Sequence, residues 1–178
     1  MRYSMARTYK VKQLKAQCLE IARGAGVFRD DELKVLYEVL SECFLKPGRP
    51  YKMCIEHDKG KMAGFIIYGK TACSVNGWDL YWICVDDKLK RKGIAQRLIG
   101  RMVLKISREN TDAVIRIETS SLARYLPARK LYQRCGFSLA GQLQNFYAKG
   151  DDLLIYSSPI GQLSAEPQSI FSSAQRDS

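Results

Sequence analysis

The sequence predicts a mixed α/β (α+β) fold in which helices flank one sheet. Three observations carry that expectation. Short β-branched and aromatic runs alternate with amphipathic helical runs along most of the chain. The stretch Leu80–Ile106 joins a strand-like run to a helix through a basic, glycine-containing turn. A length of 178 residues with 46% apolar content suits one domain with a real core.

Taken in order, Tyr9 to Leu14 alternates apolar and cationic residues and reads as a first strand. Ala16 to Arg23 reads as a short helix, stopped by Gly24-Ala25-Gly26. Asp30 and Asp31 put negative charge at the start of a stronger helix, whose apolar face is Leu33, Leu36, Tyr37, Leu40 and Phe44. Pro47-Gly48 ends it. Tyr51–Glu56 and Lys61–Tyr68 form a hairpin around His57-Asp58-Lys59-Gly60.

Asn76-Gly77 turns the chain into the central strand, Leu80–Val85. After the basic turn, Ile94, Leu98, Ile99, Met102, Val103 and Ile106 recur at helical spacing. Ala113–Thr119 alternates as a strand does. Pro127 fits the first turn of a helix that closes at Gly136. Phe137–Leu143 and Leu153–Ser157 are the last strands, around a loop from Asn145 to Asp152. From Gly161 the chain turns rich in Ser, Gln and Ala without periodicity, so residues 1–160 are expected to form the domain and 161–178 a disordered tail. The expected order is therefore β-α-α-β-β-β-α-β-α-β-β, without internal repeats.

Composition excludes several classes. No apolar run approaches the roughly eighteen residues of a membrane span. Met1–Arg7 lacks the apolar core of a signal peptide. The six cysteines, Cys18, Cys43, Cys54, Cys73, Cys84 and Cys135, show neither CxxC nor metal-ligand spacing, and most lie in apolar runs. Reduced thiols in a cytoplasmic protein without a bound metal are expected. The formal charge of +11 admits nucleic acid, an anionic cofactor or an acidic substrate as partner. No RNA-binding aromatic signature, zinc-finger spacing or helix-turn-helix pattern accompanies it.

The chemistry concentrates after the central strand. Lys88-Leu89-Lys90-Arg91-Lys92-Gly93 precedes a helix start, where backbone N–H groups and the helix dipole suit a phosphate. A solvated charge run is the competing reading. Neither GxxxxGK[ST] nor GxGxxG is present.

Lys90-Arg91-Lys92-Gly93-Ile94-Ala95 resembles the acyl-CoA pyrophosphate loop, Q/R-x-x-G-x-G/A, of the GNAT superfamily of N-acetyltransferases. Ala128-Arg129-Lys130-Leu131-Tyr132-Gln133-Arg134-Cys135-Gly136-Phe137 resembles that family's A-x-x-x-Y-E/Q-x-x-G-F segment. The resemblance covers roughly residues 8–158. Gly26-Val27-Phe28, Leu80-Tyr81-Trp82-Ile83, Ile117–Ser121 and Asn145-Phe146-Tyr147 ahead of Gly150-Asp151-Asp152 further resemble one bacterial GNAT subgroup with no single agreed substrate. Two positions depart from the family pattern. Lys90 stands where Gln or Arg is usual, and Tyr125 where many members have an Asn that contacts the pantetheine arm.

The resemblance implies a GNAT fold, with a mixed, mostly antiparallel sheet and splayed central strands. It implies an acetyl-CoA-dependent N-acetyltransferase in which an amine attacks the thioester directly. Lys90, Arg91, Lys92, Gly93, Ile94 and Ala95 would hold the pyrophosphate. The backbone of Ile83, Cys84 and Val85, together with Ala128, would hold the pantetheine and thioester. Tyr132 would be the general acid; from spacing alone it also reads as a core aromatic, beside Leu131 and Cys135. Glu118 is the first candidate for the base and Asp79 the second, each also readable as half of an ion pair. His57 reads as a solvated turn residue, and Cys84 as small-residue packing. The acceptor stays open among a small metabolite, a protein amine and an aminoacyl-tRNA, in a monomer or homodimer without membrane attachment. The alternative is a catalytically idle module that binds acyl-CoA or nucleic acid.

Overall fold

The computed structural model describes residues 2–46 and 50–163. Its elements are α1 (Arg2–Gly24), α2 (Asp30–Leu45), β1 (Tyr51–Asp58), β2 (Lys61–Lys70), β3 (Gly77–Val85), α3 (Ile94–Ser107), β4 (Val114–Ser120), α4 (Leu126–Arg134), β5 (Ser138–Ala148) and β6 (Asp151–Pro159). The described strands form one sheet in the order β1-β2-β3-β4-β6-β5, and among them only the β3–β4 pair is parallel.

β2 is buried from Met62 to Gly69 because helices cover both of its faces. Ala63, Ile66 and Tyr68 join the core made by α3, with Leu98, Ile99, Met102 and Ile106. Met62, Phe65 and Ile67 join a second core on the other face, with Cys18, Ala22, Leu36 and Leu40 from α1 and α2. From Gly64 onward period-two alternation feeds two helical layers from one strand, and the extra residue Ala63 shifts the period before it. Gly64 is what lets α3 close on the sheet. A Cβ there would stand 2.6 Å from the Cys84 carbonyl oxygen and 3.3 Å from the Ile94 and Leu98 side chains.

The N-terminus differs from its expected form. No strand covers Tyr9–Leu14; those residues are continuous with Ala16–Arg23 in the single helix α1. Six alternating residues are too few to exclude a helix, and Leu14, Cys18, Ile21 and Ala22 form a stripe at helical spacing that packs on the second core. No Gly or Pro interrupts the run between them.

α2 starts as expected, with Asp30, Asp31 and Glu32 in its first turn and Glu32 accepting from the Arg29 backbone N–H at 2.8 Å. Its buried stripe is Leu36, Val39, Leu40 and Cys43, while Tyr37 faces outward under the Lys15 ammonium, 3.7 Å from the ring centroid. The expected Pro47-Gly48 helix end lies outside the described residues.

The expected Asn145–Asp152 loop is a tighter hairpin. β5 runs on to Ala148, Asn145 takes a left-handed φ of 55°, and its side-chain oxygen accepts from Gly150 N at 2.7 Å. After β6, Ile160–Gln162 make a 3₁₀ turn and Leu163 enters the main core. Of the expected tail, residues 164–178 lie outside the described residues. None of the described helices is long and apolar enough to cross a membrane.

Candidate active site

β3 and β4 pair only from Gly77↔Val114 to Leu80↔Ile117, and then part. Each is held by its other neighbour beyond that point. β4 stays on β6 through Glu118↔Ile155, Thr119↔Leu154 and Ser120↔Leu153. Its end is fastened by Ser120 Oγ donating to buried Asp151 at 2.5 Å, and by Arg129 Nη1 donating to the carbonyls of Ser120 and Leu122 at 2.7 and 2.9 Å. β3 stays on β2 but changes register: Ile67 pairs with Trp82 while Tyr68 pairs with Leu80, which leaves Tyr81 as a bulge. One extra residue exchanges the faces. Trp78 and Leu80 enter the α3 core before the bulge, Ile83 and Val85 after it.

The separation opens a cleft of about 290 Å³. Ile83, Glu118, Ala128 and Tyr132, all expected site residues, line it together, and Asp79 reaches it as well. Ala128 and Tyr132 share one face of α4, at i and i+4. Tyr132 is 5% exposed, and burial, followed by the nearby Cys84 thiol, pushes its hydroxyl well above the usual phenol range.

The side chains of Cys84 and Val85 point into the two cores and are not part of the cleft wall. Burial raises the Cys84 thiol far above its ordinary value, opposite to what a nucleophile needs. His57 sits at the exposed end of β1, away from the cleft.

The two candidate bases differ in their surroundings. Asp79 has both carboxylate oxygens engaged, by Arg116 Nε at 2.7 Å and by Thr71 Oγ1 at 2.8 Å. The Glu118 side chain is 43% exposed and touches the other side of the same guanidinium at 3.5 Å.

The basic loop lies past the end of β3. Asp87–Leu89 form a 3₁₀ turn, Arg91 and Gly93 take left-handed φ values of 64° and 73°, and Gly93 caps α3. The alternation of hands curls the backbone over the start of α3, whose first turn holds no acidic residue. Lys90 is turned back on Asp87 in an ion pair, Lys92 lies 3.9 Å from Asp58, and Arg97 Nη1 donates to the Lys92 carbonyl at 3.0 Å. Lys90, Arg91 and Lys92 are exposed.

A sequence model of the acetyltransferase (GNAT) domain matches residues 49–139, from β1 through the start of β5. The chain belongs to the GNAT acetyltransferase family. No curated protein matches it significantly in sequence. Among solved structures, a protein described as a GNAT-family acetyltransferase from Desulfovibrio desulfuricans is 28% identical, with a TM-score of 0.79 over 83% of this chain and 93% of that one. The ribosomal-protein-S18-alanine N-acetyltransferase of Escherichia coli superimposes at a TM-score of 0.65 and 19% identity, over 88% of this chain and 92% of that one. An aminoglycoside 6'-N-acetyltransferase in complex with coenzyme A gives 0.66 and 16%, over 83% and 91%. At those lower identities the likeness is one of fold.

Several cleft residues of this GNAT domain come from distant elements and were assigned no role from sequence, although Phe28, Tyr81 and Tyr147 lie in the segments that resemble the bacterial subgroup. Phe28, Arg29 and Glu32 arrive from the α1–α2 junction, Tyr147 from β5, and Tyr81 from the bulge. Burial, then the Glu118 carboxylate, pushes the Tyr147 phenol up to about 12. Tyr125, at the departure from the family pattern, donates its hydroxyl to the Val27 carbonyl at 3.0 Å and so ties α4's approach to the α1–α2 junction.

Proposed function

We propose that this enzyme transfers an acetyl group from acetyl-CoA to a primary amine by direct attack, and that the acceptor enters as a cation. The carrying observation is the parting of β3 from β4 after Leu80 and Ile117, between a buried tyrosine and a half-exposed glutamate. Backbone groups of β3 beyond Leu80 have no partner on the β4 side, and buried amides need one. An extended pantetheine with its two amides supplies such partners, and Ala128 is small enough to let it pass.

The basic loop serves as the other anchor. The N–H groups following Gly93 receive the pyrophosphate, aided by Arg91, Lys92 and the dipole of α3. Lys90, engaged by Asp87, adds charge nearby more than a direct contact.

Acetyl-CoA supplies the thioester. A β3 backbone N–H among Ile83–Val85 polarises its carbonyl, and Tyr132 donates a proton to the departing sulfur. At ordinary values, phenol near 10 and thiol near 8.5, that transfer costs about 2 kcal/mol. Burial raises the Tyr132 phenol, but a thiolate leaving into the same apolar surroundings is raised too. The difference between the pair sets the cost.

An alkyl ammonium of pKa about 10.4 costs about 4.6 kcal/mol to deprotonate at pH 7. Glu118 takes that proton, through water or directly. Asp79 is left in a structural role because Thr71 and Arg116 occupy both of its oxygens. Around the cleft, the carboxylates of Glu32, Asp79 and Glu118 outnumber the guanidiniums of Arg29 and Arg116. On a chain of net charge +11, that local excess favours an ammonium acceptor.

Thermal unfolding with and without acetyl-CoA is the first test. Ligand at a hundred times its dissociation constant adds about 2.7 kcal/mol, an upward shift of a few degrees. A panel of amines, followed by release of free CoA, then identifies the acceptor. Absence of a shift with acetyl-CoA and longer acyl-CoAs overturns the cofactor assignment.

A further inference from the structure

Charge in the cleft is unevenly settled. Arg29 turns its guanidinium to Asp31, with Nε and Nη2 each 3.1 Å from a carboxylate oxygen. Arg116 gives Nε to Asp79 at 2.7 Å and stands farther, at 3.5 Å, from Glu118. Among the described residues no lysine lines the cleft beside these two arginines. Each guanidinium thus has its closest carboxylate in Asp31 or Asp79. Glu32 and Glu118 are left in the same cleft without a cation of their own.

Glu32 has an oxygen to spare. One accepts from the Arg29 backbone N–H at 2.8 Å, and the Arg29 Nε is 4.0 Å from that same oxygen. The other accepts no hydrogen bond among the described residues, in a side chain 29% exposed. Burial, then Glu118, Asp151 and Glu32, push the Tyr147 phenol up to about 12, so both free carboxylates lie within electrostatic reach of one ring. Phe28, Tyr81 and Tyr147 add aromatic wall, which suits methylene groups and the face of an ammonium.

We infer, on the amine-acetylation reading above, that the acceptor is a short aliphatic diamine. Its reacting nitrogen stands at Glu118, and its second, as an ammonium, is held by Glu32. The attacking nitrogen forms the amide C–N bond as the thioester C–S bond breaks. Its proton passes to Glu118, Tyr132 protonates the sulfur, and the second ammonium is unchanged. An amino acid or a phosphorylated amine is rejected, because its anion would meet Glu32 while both guanidiniums are already engaged. A monoamine would leave Glu32 without a partner.

The test follows CoA release from acetyl-CoA with cadaverine, n-pentylamine and δ-aminovalerate, which put a cation, no charge and an anion at the far end of one chain length. Cadaverine should exceed n-pentylamine in kcat/KM by about tenfold, the worth of one charge-assisted hydrogen bond, and δ-aminovalerate should be the poorest. That comparison needs no variant to fold. Glu32→Gln preserves the contact to the Arg29 backbone N–H and should raise KM for cadaverine more than it lowers kcat, erasing the lead over n-pentylamine. Equal kcat/KM for cadaverine and n-pentylamine overturns the inference, and so does a lead that survives Glu32→Gln. A thermal shift with acetyl-CoA but no turnover of cadaverine overturns it while leaving the cofactor assignment standing. No shift and no turnover overturn the acetylation reading beneath it as well.

Discussion

Asp79 and Arg116 stand opposite each other on β3 and β4, one rung before the strands separate, with Arg116 Nε donating to Asp79 Oδ1 at 2.7 Å. The same guanidinium reaches Glu118 at 3.5 Å. It thus closes the paired part of the sheet and orients the first carboxylate of the open part.

Asp79→Asn removes the charge from a side chain only 11% exposed while leaving Arg116 44% exposed and able to hydrate. The expected cost is about 1–3 kcal/mol, read as a lower urea midpoint at unchanged slope. A change of slope instead would mean that the strands separate further and that the pair sets the width of the cleft.

Tyr132→Phe should keep the affinity for acetyl-CoA and lower kcat by about a hundredfold or more. Calorimetric titration and CoA release measure the two separately. Equal turnover in the variant returns Tyr132 to a purely packing role between Phe137 and Tyr156.

Glu118→Gln should reduce kcat/KM most at neutral pH. The deficit should narrow as pH climbs toward the pKa of the acceptor amine, because the free base then forms without help. A deficit of the same size at every pH would make Glu118 a binding residue for the ammonium.

Gly93→Ala places a side chain at φ 73°, a conformation costing an L-residue about 1–2 kcal/mol. The nearest atom to the new Cβ is the end of the Arg97 side chain at 3.4 Å, which can move, so backbone strain is the cost that remains. Weaker CoA binding at nearly unchanged α3 helicity is the expected result.

The buried thiols set the alkaline limit of stability. Burial raises Cys18 from 9.0 to about 12, and Cys43 to about 11, so the unfolded chain loses these protons first. Their contribution is complete below pH 9 and is lost as pH rises toward 11–12. The thermal midpoint should fall over that interval, and Cys18→Ala should flatten the fall.

Much of the fold was legible in the sequence because its signals are local. The helical periodicity of Ile94–Ile106, the turn residues Lys59-Gly60, and Pro127 followed by Gly136 each constrain only a few neighbouring dihedrals. Tyr9–Leu14 was misread for the same reason: six residues satisfy both periods, and the packing of Leu14 and Cys18 on the sheet decides for helix. The family was legible too, in the Lys90–Ala95 loop and the Ala128–Phe137 segment, since both are contiguous.

What only the tertiary structure decided is the geometry around that loop. The bulge at Tyr81 depends on how β3 registers against β2, and the parting of β3 from β4 depends on Ser120, Asp151 and Arg129 holding β4 elsewhere. The contrast between Asp79, with both carboxylate oxygens engaged, and the half-exposed Glu118 rests on Arg116, 37 residues from Asp79 in sequence. Glu32, Glu118 and Tyr147, which line the cleft together, are far apart in the chain and close only after folding. Contiguous residues can encode a cofactor loop, because a phosphate is bound by successive backbone N–H groups. An acceptor is bound by side chains from separate elements, and their proximity is a property of the sheet.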